Sequence, residues 1–385
     1  MAGGAERAAV RVARLLRQVR PASTGAAGGS PERFRAFVVD ADSRGKLLAS
    51  GVRWFDDVSE LPRQDPEADA TVRVRFSTLN YKDGMIVQGR PGVVTPPGRF
   101  PIVPGIDAAG EVLDCASGDF APGDRVVITG NKIGQHFDGG FSERIRVKSG
   151  WLARVPDCFS LEESMMIGSA GVTAMQCVMH LEEAGGLSPE RGEVLVTGAG
   201  GGVGSIAVAI LARLGYQVVA SSRRDHVLGE YLSRLGAARV IGGLEVEKRP
   251  LGGQLWAGVV DTVGGDTLAA AVAQTKYRCG VASTGVAGDS KLNTTVYPFI
   301  LRGVRLLGVD STLPFKVSGW PDDEASREAF ADERRRIWAR LAADLPRNAL
   351  HAIHGGTAGL GDVQELSAKI LRGEVRGRMV VDVSR

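Results

Sequence analysis

No run of apolar residues in this 385-residue chain approaches the length of about 18 that spans a bilayer, which argues against a transmembrane helix. Cysteine is scarce. The four cysteines, at 115, 158, 177 and 279, stand far apart and never as C-x-x-C, so neither a zinc ribbon nor a redox pair can be read from them. A disulfide framework does not suit a chain of this size, and the four read as reduced thiols. An excess of charge of one sign is missing too. Lys and Arg number 47 against 44 Asp and Glu, a net +3 with no basic block in the body, which speaks against nucleic-acid binding as the main role. There is no internal repeat. What remains is an ordinary globular composition, 44% hydrophobic and 24% charged, long enough for two domains.

Basic residues do gather in the first thirty positions, where Arg7, Arg11, Arg14, Arg17 and Arg20 face a single acid, Glu6. At helical pitch Val12, Leu15, Leu16 and Val19 share one side, and Pro21 ends the pattern. An Arg-rich, acid-poor, amphipathic leader is the signature of a transit peptide, which predicts a mitochondrion or plastid; without such an address the protein is expected in the cytoplasm.

From Phe34 to about Val155 short β-like runs alternate with turns: "FRAFVVD", "TVRVRFSTL", "GEVLDC" and "DRVVITG". Many short strands without helices between them predict a barrel-like β domain. After residue 160 strand and helix alternate, through "EVLVTGAGGGVGS", "YLSRLGAARVI", "WAGVVDTVGG", "CGVASTGVAG" and "VRLLGVDS". That order predicts an α/β domain with a doubly wound parallel sheet. The tail from about 312 returns to a charged helix and closes in the strand "GRMVVDVS".

The glycine loop aligns with the dinucleotide fingerprint as Ala199-x-Gly201-x-x-Gly204. Gly201 lets backbone approach a pyrophosphate, and Gly204 lets the next helix pack on the strand. The helix start near Val203 and Ser205 presents free N–H groups and a positive dipole end. A glycine fingerprint alone is weak; strand, loop, helix and second strand within about thirty residues are the context that supports it. The second strand ends in Ser222, Arg223 and Arg224 where an NAD site places a carboxylate. Two guanidiniums there suit the 2′-phosphate of NADPH, the alternative being a solvated loop.

Six longer motifs carry a closer likeness: "LNYKDGMIVQGR" (79–90), "FPIVPGIDAAGEV" (100–112), "GGFSERIRVKSGWL" (139–152), "AGVTAMQCVM" (170–179), "WAGVVDTVGG" (256–265) and "TTVYPFILRGVRLLGVDS" (294–311). With the β part first and the nucleotide part second, the chain resembles the acryloyl-CoA reductase branch of the quinone oxidoreductase-like enzymes, within the medium-chain dehydrogenase/reductase superfamily. The likeness runs from Phe34 to Ser384. It implies a GroES-like catalytic domain at 31–164 and 313–385 and a Rossmann domain at 165–312, after a leader at 1–30. The active site would lie in the cleft, and relatives commonly dimerise through edge strands, with "VRLLGVDS" as a seam or an interior strand.

Zinc-dependent members of that superfamily place a histidine–glutamate pair where this chain has Ile106 and Asp107. No histidine here has a cysteine at ligand spacing, so a zinc-free enzyme with no metal is expected. Such an enzyme reduces a carbon–carbon double bond conjugated to a carbonyl. The implied reaction is NADPH-dependent reduction of acryloyl-CoA to propionyl-CoA, an oxidoreductase acting on a CH–CH group, with an acyl-CoA as the small-molecule partner and neither nucleic acid nor membrane. Quinone or general enone reduction, and a non-catalytic NADPH-binding protein, are the alternatives.

"NYKD" holds the candidate catalytic groups: Tyr81, to contact the nicotinamide or give the proton, with Asn80 and Lys82 beside it. A bound water could serve as donor equally well, and Asp83 reads as an acceptor that fixes the loop. By resemblance only, Thr173, Gly285, Ile300 and Ser311 approach the cofactor, and Arg376 and Arg378 return towards the cleft. His136 stands where the resemblance leads one to expect an aromatic residue.

Overall fold

The computed structural model describes residues 33–42, 46–89, 99–245, 249–311 and 323–385. The leader at 1–30 and the expected boundary at 313 lie outside them.

The first half opens with a hairpin, β1 (Phe34–Ala41) and β2 (Leu47–Phe55). The alternating run becomes β3 (Ala70–Leu79), with Val72 and Val74 inward and Arg73 and Arg75 in solvent. A short helix, α1 (Tyr81–Val87), follows at once, which corrects the expectation of strands without helices between them. Then come β4 (Asp107–Cys115), β5 (Arg125–Thr129), β6 (Arg144–Val147) and β7 (Ala153–Arg154).

The helix α2 (Leu161–Glu183) leads into the nucleotide half. Its start is capped reciprocally: the Glu163 N–H donates to Ser160 Oγ at 3.0 Å and the Ser160 N–H to Glu163 Oε2 at 2.8 Å. The next elements are β8 (Val194–Thr197), α3 (Gly202–Arg213), β9 (Val218–Ser221), α4 (Asp225–Arg234), β10 (Arg239–Ile241), β11 (Trp256–Asp261), α5 (Gly265–Gln274), β12 (Thr275–Ser283), α6 (Tyr297–Arg302) and β13 (Arg305–Gly308). The six strands are all parallel in the order β10-β9-β8-β11-β12-β13. Strand order reverses between β8 and β11, the place where such sheets bind dinucleotides. The fold class is therefore as expected: a β-rich GroES-like part and a Rossmann sheet.

The tail supplies α7 (Glu324–Asp344), α8 (Arg347–Ile353), β14 (His354–Gly359), α9 (Val363–Leu371) and β15 (Arg378–Asp382). β15 returns to the first sheet, antiparallel to β3, with Met379 opposite Leu79 and Val380 opposite Thr78. That sheet runs β14-β15-β3-β4-β5-β7, with β6 also on β3. The end of the chain thus arrives beside "NYKD". α2 is buried on every side, because one apolar core takes in Ala109 and Val127 of the first sheet, Val196 of the second, Ile206 of α3 and Trp338 of α7.

Candidate active site

β3 ends at Leu79 and α1 begins at Tyr81, so Asn80 takes the cap position with extended backbone (φ −111°, ψ 163°). Three residues on, Asp83 Oδ2 accepts the Asn80 N–H at 2.9 Å. Its other oxygen accepts from the N–H groups of Gly105 at 3.2 Å and Ile106 at 3.0 Å, tying the helix start to the loop before β4. The Asn80 side chain turns inward. Its Nδ2 donates to Asp107 Oδ2 at 3.0 Å and to Asp83 Oδ2 at 3.2 Å. Its Oδ1 accepts from Arg378 Nη1 at 2.9 Å.

Arg378 reaches there because β15 pairs with β3. Its Nη2 donates to Thr78 Oγ1 at 2.9 Å, its Nε donates to the Met166 carbonyl at 3.2 Å, and its guanidinium stands 3.8 Å from Asp107 Oδ2. Asp107 also accepts the Ser169 N–H at 3.0 Å and the Ser169 hydroxyl. That last contact depends on a break in α2. Gly168 has φ 51° inside the helix, and a Cβ there would come within 2.6 Å of Arg378 Nη2 and 2.8 Å of Asp107 Oδ2. Only glycine combines that backbone with that approach.

Two carboxylates and a guanidinium are thus enclosed together. Burial pushes Asp83 up to about 7, against the hydrogen bonds that hold it down and with Asp107 adding to the rise. Burial lowers Arg378, while Asp107 and Asp83 favour its charge. Lys82 is lowered by burial as well and held up by Asp310, Asp83 and Asp107. Tyr81 is different: it projects from the first turn of α1 and is 46% exposed.

A second chain of polar groups leads from Asp107 into the nucleotide half. Thr173 Oγ1 donates to the Ser169 carbonyl at 2.7 Å and is hydrogen-bonded to the Ser311 hydroxyl. The Ser311 carbonyl accepts from Arg334 Nη2 of α7. Arg334 is buried against the Phe330 ring, 4.8 Å from its centroid, and its Nη1 has no hydrogen-bond partner. Burial lowers it to about 10, so it stays cationic at neutral pH.

The glycine loop meets this cluster directly. Gly201 caps α3 with extended backbone, leaving the first-turn N–H groups of the helix, at Gly202, Val203 and Gly204, without partners inside the helix. A Cβ on Gly204 would stand 2.5 Å from the Gly198 carbonyl, and one on Gly202 would stand 3.0 Å from Arg378 Cδ. The Gly377 N–H donates to the Gly200 carbonyl at 3.2 Å, locking the start of β15 to the loop. Ala199 is fully buried beneath it, and the Ser205 hydroxyl is spent on the Gly201 carbonyl at 2.6 Å. Ser222 is buried at the end of β9, with Arg223 exposed and Arg224 half-buried after it. Tyr231 of α4 brings a buried hydroxyl beside Ser205 of the loop and Gly377, with the Arg376 guanidinium 4.7 Å from its ring centroid. An exposed helix start, a glycine cradle and guanidiniums beyond the second strand fit a phosphorylated dinucleotide.

Of the residues expected from sequence, Asn80 and Lys82 join the charged cluster, Thr173 and Ser311 join each other, and Ala199 to Ser205 form the loop with Ser222, Arg223 and Arg224 beyond it. Gly285 lies beside β11, where a Cβ would stand 2.1 Å from the Thr262 carbonyl. Ile300 is 67% exposed on α6, just before the sheet-edge strand β13. Local pattern did not single out Thr78, Ser169, Arg334 or Tyr231, since single hydroxyls and basic residues are common on any surface.

A family model described as alcohol dehydrogenase GroES-like domain matches residues 66–157, and one described as zinc-binding dehydrogenase matches 202–319. Acrylyl-CoA reductase AcuI of Ruegeria pomeroyi is 43% identical over 356 residues, covering 91% of this chain and 99% of its own. This chain belongs to the AcuI/YhdH family of quinone oxidoreductase-like medium-chain dehydrogenases/reductases. A probable acrylyl-CoA reductase AcuI of Escherichia coli is 43% identical, covering 88% and 97%. The crystal structure of the yhdH oxidoreductase from Salmonella enterica in complex with NADP superposes with a TM-score of 0.80 at 42% identity, over 91% of this chain and 99% of that one.

Membership corrects the expected location. The AcuI/YhdH relatives just named come from bacteria, which have neither mitochondrion nor plastid, and the organellar expectation falls with them. Zinc in the name of the second family model finds no counterpart here: among the described residues no group of three His, Cys, Asp or Glu could hold a metal ion, and Asp107 is committed to Ser169 and Asn80.

Proposed function

We propose that this chain is an NADPH-dependent reductase of acryloyl-CoA, forming propionyl-CoA. One observation carries the reading. The Arg378 side chain lies between the first turn of the glycine-loop helix and the enclosed Asn80–Asp107 pair, so nucleotide loop and polar cluster share one wall. When bound, NADPH supplies the hydride that the β-carbon of the conjugated double bond takes up, and a proton completes the α-carbon.

The chain's own groups divide the remaining work. Gly201 to Gly204 take the pyrophosphate on the helix start. Arg223 and Arg224 take the 2′-phosphate. Thr173, Ser311 and Gly285 border the nicotinamide. Tyr81, the half-exposed hydroxyl of the first turn, faces substrate as a proton donor or nicotinamide contact, and Lys82 adds positive charge where an enolate oxygen develops. Asn80 is a positioning residue, because its amide is already shared among Asp83, Asp107 and Arg378. The catalytic part is 31–164 with 313–385, the nucleotide part 165–312.

The assembly in this reading is a homodimer. β13 is one edge of the parallel sheet, and Leu306 on it and Ile300, Leu301 and Val296 around α6 expose apolar side chains. A second copy pairing along that edge would cover them.

The test is NADPH oxidation by the full chain with acryloyl-CoA, with a simple quinone, and with NADH in place of NADPH. Saturable turnover that prefers acryloyl-CoA and NADPH supports the reading. Turnover of the quinone alone replaces it with quinone reduction, and cofactor binding without turnover of either acceptor removes the catalytic roles given to "NYKD".

A further inference from the structure

β4 and β5 pair with Asp107 opposite Thr129, and the Gly130 N–H donates to the Ile106 carbonyl at 2.8 Å. The loop after β5, residues 130–137, therefore emerges at the rim of the charged cluster. Its turn is tight: the Lys132 carbonyl accepts from the N–H groups of Gln135 at 3.2 Å and His136 at 2.9 Å. Asn131 and Lys132 both hold left-handed backbone, φ 54° and 65°, which side chains other than glycine adopt at some cost.

This loop gathers positive charge. Partial burial disfavours protonation of His136, and the charges of Lys132 and Arg99 act in the same direction. Arg63 is beside them but faces the backbone, donating to the carbonyls of Arg99 at 3.1 Å and Phe100 at 3.0 Å. Asp138 accepts from the N–H groups of Arg63 at 2.6 Å and Val103 at 2.9 Å.

The loop also carries unused polar atoms. Asn131 is only 2% exposed, and its Oδ1 has no hydrogen-bond partner, while its Nδ2 donates to the Thr129 carbonyl at 3.3 Å. His136 Nδ1 is buried without a partner as well. A buried acceptor left unpaired costs about 1–3 kcal/mol, so such an atom calls for a partner from outside the loop. Neither atom serves the fold of the loop itself.

We propose that this loop binds the coenzyme A arm of the substrate: Lys132 and Arg99 hold its diphosphate, and Asn131 Oδ1 and His136 accept or donate to the pantetheine amides. The inference rests on the acryloyl-CoA reading and names where the non-reacting part of that substrate goes. Thioester chemistry at the cluster and phosphates outside the rim match the order of groups along acyl-CoA. Binding energy from the remote arm then orients the acryloyl group beside Tyr81.

Calorimetric titration of the full chain, saturated with NADP+, with coenzyme A, dephospho-coenzyme A and pantetheine reads the site without turnover. The variants are Arg99→Ala and Lys132→Asn, the second chosen because asparagine tolerates left-handed backbone. Coenzyme A and its dephospho form are expected to bind about tenfold or more tightly than pantetheine, and each variant to shrink that ratio about tenfold. Equal binding of all three ligands, or a preference that neither variant alters, overturns the proposal. A preference for coenzyme A over its dephospho form that tracks the variants would move the cations from the diphosphate to the 3′-phosphate, against the assignment made here. If the coenzyme site behaves as expected but acryloyl-CoA is not reduced, the reductase reading fails and the site stands.

Discussion

Arg378 Nη1 donates to Asn80 Oδ1 at 2.9 Å across 298 residues of sequence. Through that bond the last strand of the chain closes a cluster begun at the first helix, and it does so against the nucleotide loop.

Arg378→Met should expose what the guanidinium balances. The change leaves Asp83 and Asp107 enclosed without their buried cation and should cost about 3–5 kcal/mol of stability, the usual loss when one partner of a buried pair is removed. Urea unfolding measures it, and a loss below about 1 kcal/mol would show that water already screens the cluster.

Gly168→Ala tests the break in α2. Left-handed backbone and a Cβ at 2.6 Å from Arg378 Nη2 predict a loss of roughly 2–4 kcal/mol together with reduced turnover. Gly215→Ala, where φ is 86° but the new Cβ meets nothing within 4 Å, is the control. Similar losses at both positions would mean that Gly168 serves only the backbone.

The pH dependence of stability should carry the mark of Asp83. Its pKa in the folded chain is pushed up to about 7 from an ordinary 3.8, so the folded state binds this proton more tightly than the unfolded one. Its contribution is fully present below about pH 4 and is lost as pH rises through about 7. Asp138, raised to about 6, acts in the same direction, so the quantity to measure is the difference between wild type and Asp83→Asn. That difference should move against the wild type between pH 4 and 7.5; a flat difference would place Asp83 among ordinary carboxylates.

Cofactor choice should follow the residues after β9. Replacing Arg223 and Arg224 together by serine is expected to weaken NADPH binding about tenfold to a hundredfold and leave NADH nearly unchanged. Fluorescence titration of both cofactors decides it, and equal weakening would assign the arginines a structural task.

The sheet edge at β13 makes a separate claim. Leu306→Glu should convert the proposed dimer to monomer in light scattering after size exclusion, since a charge on the seam would be desolvated against its own copy. A wild-type monomer, or a variant that stays dimeric, removes β13 as the seam.

Local chemistry was enough for much of this protein. The alternation at 71–79 foretold β3, and the order of strand, glycine turn and helix foretold the parallel sheet. The substitution of Ser222, Arg223 and Arg224 for an acid foretold a phosphate-bearing cofactor, because backbone geometry and side-chain period act over a few residues. Asp107, Ser169 and Arg378 belong to the other kind. Each is unremarkable in its own segment, and each acquires meaning from the pairing of β15 with β3 and the break at Gly168. Enclosing a charge is costly unless partners arrive from elsewhere in the chain, and which partners arrive is decided by tertiary packing alone. Short-range pattern set the sheet, the loop and the cofactor class, whereas which charges meet follows from long-range packing.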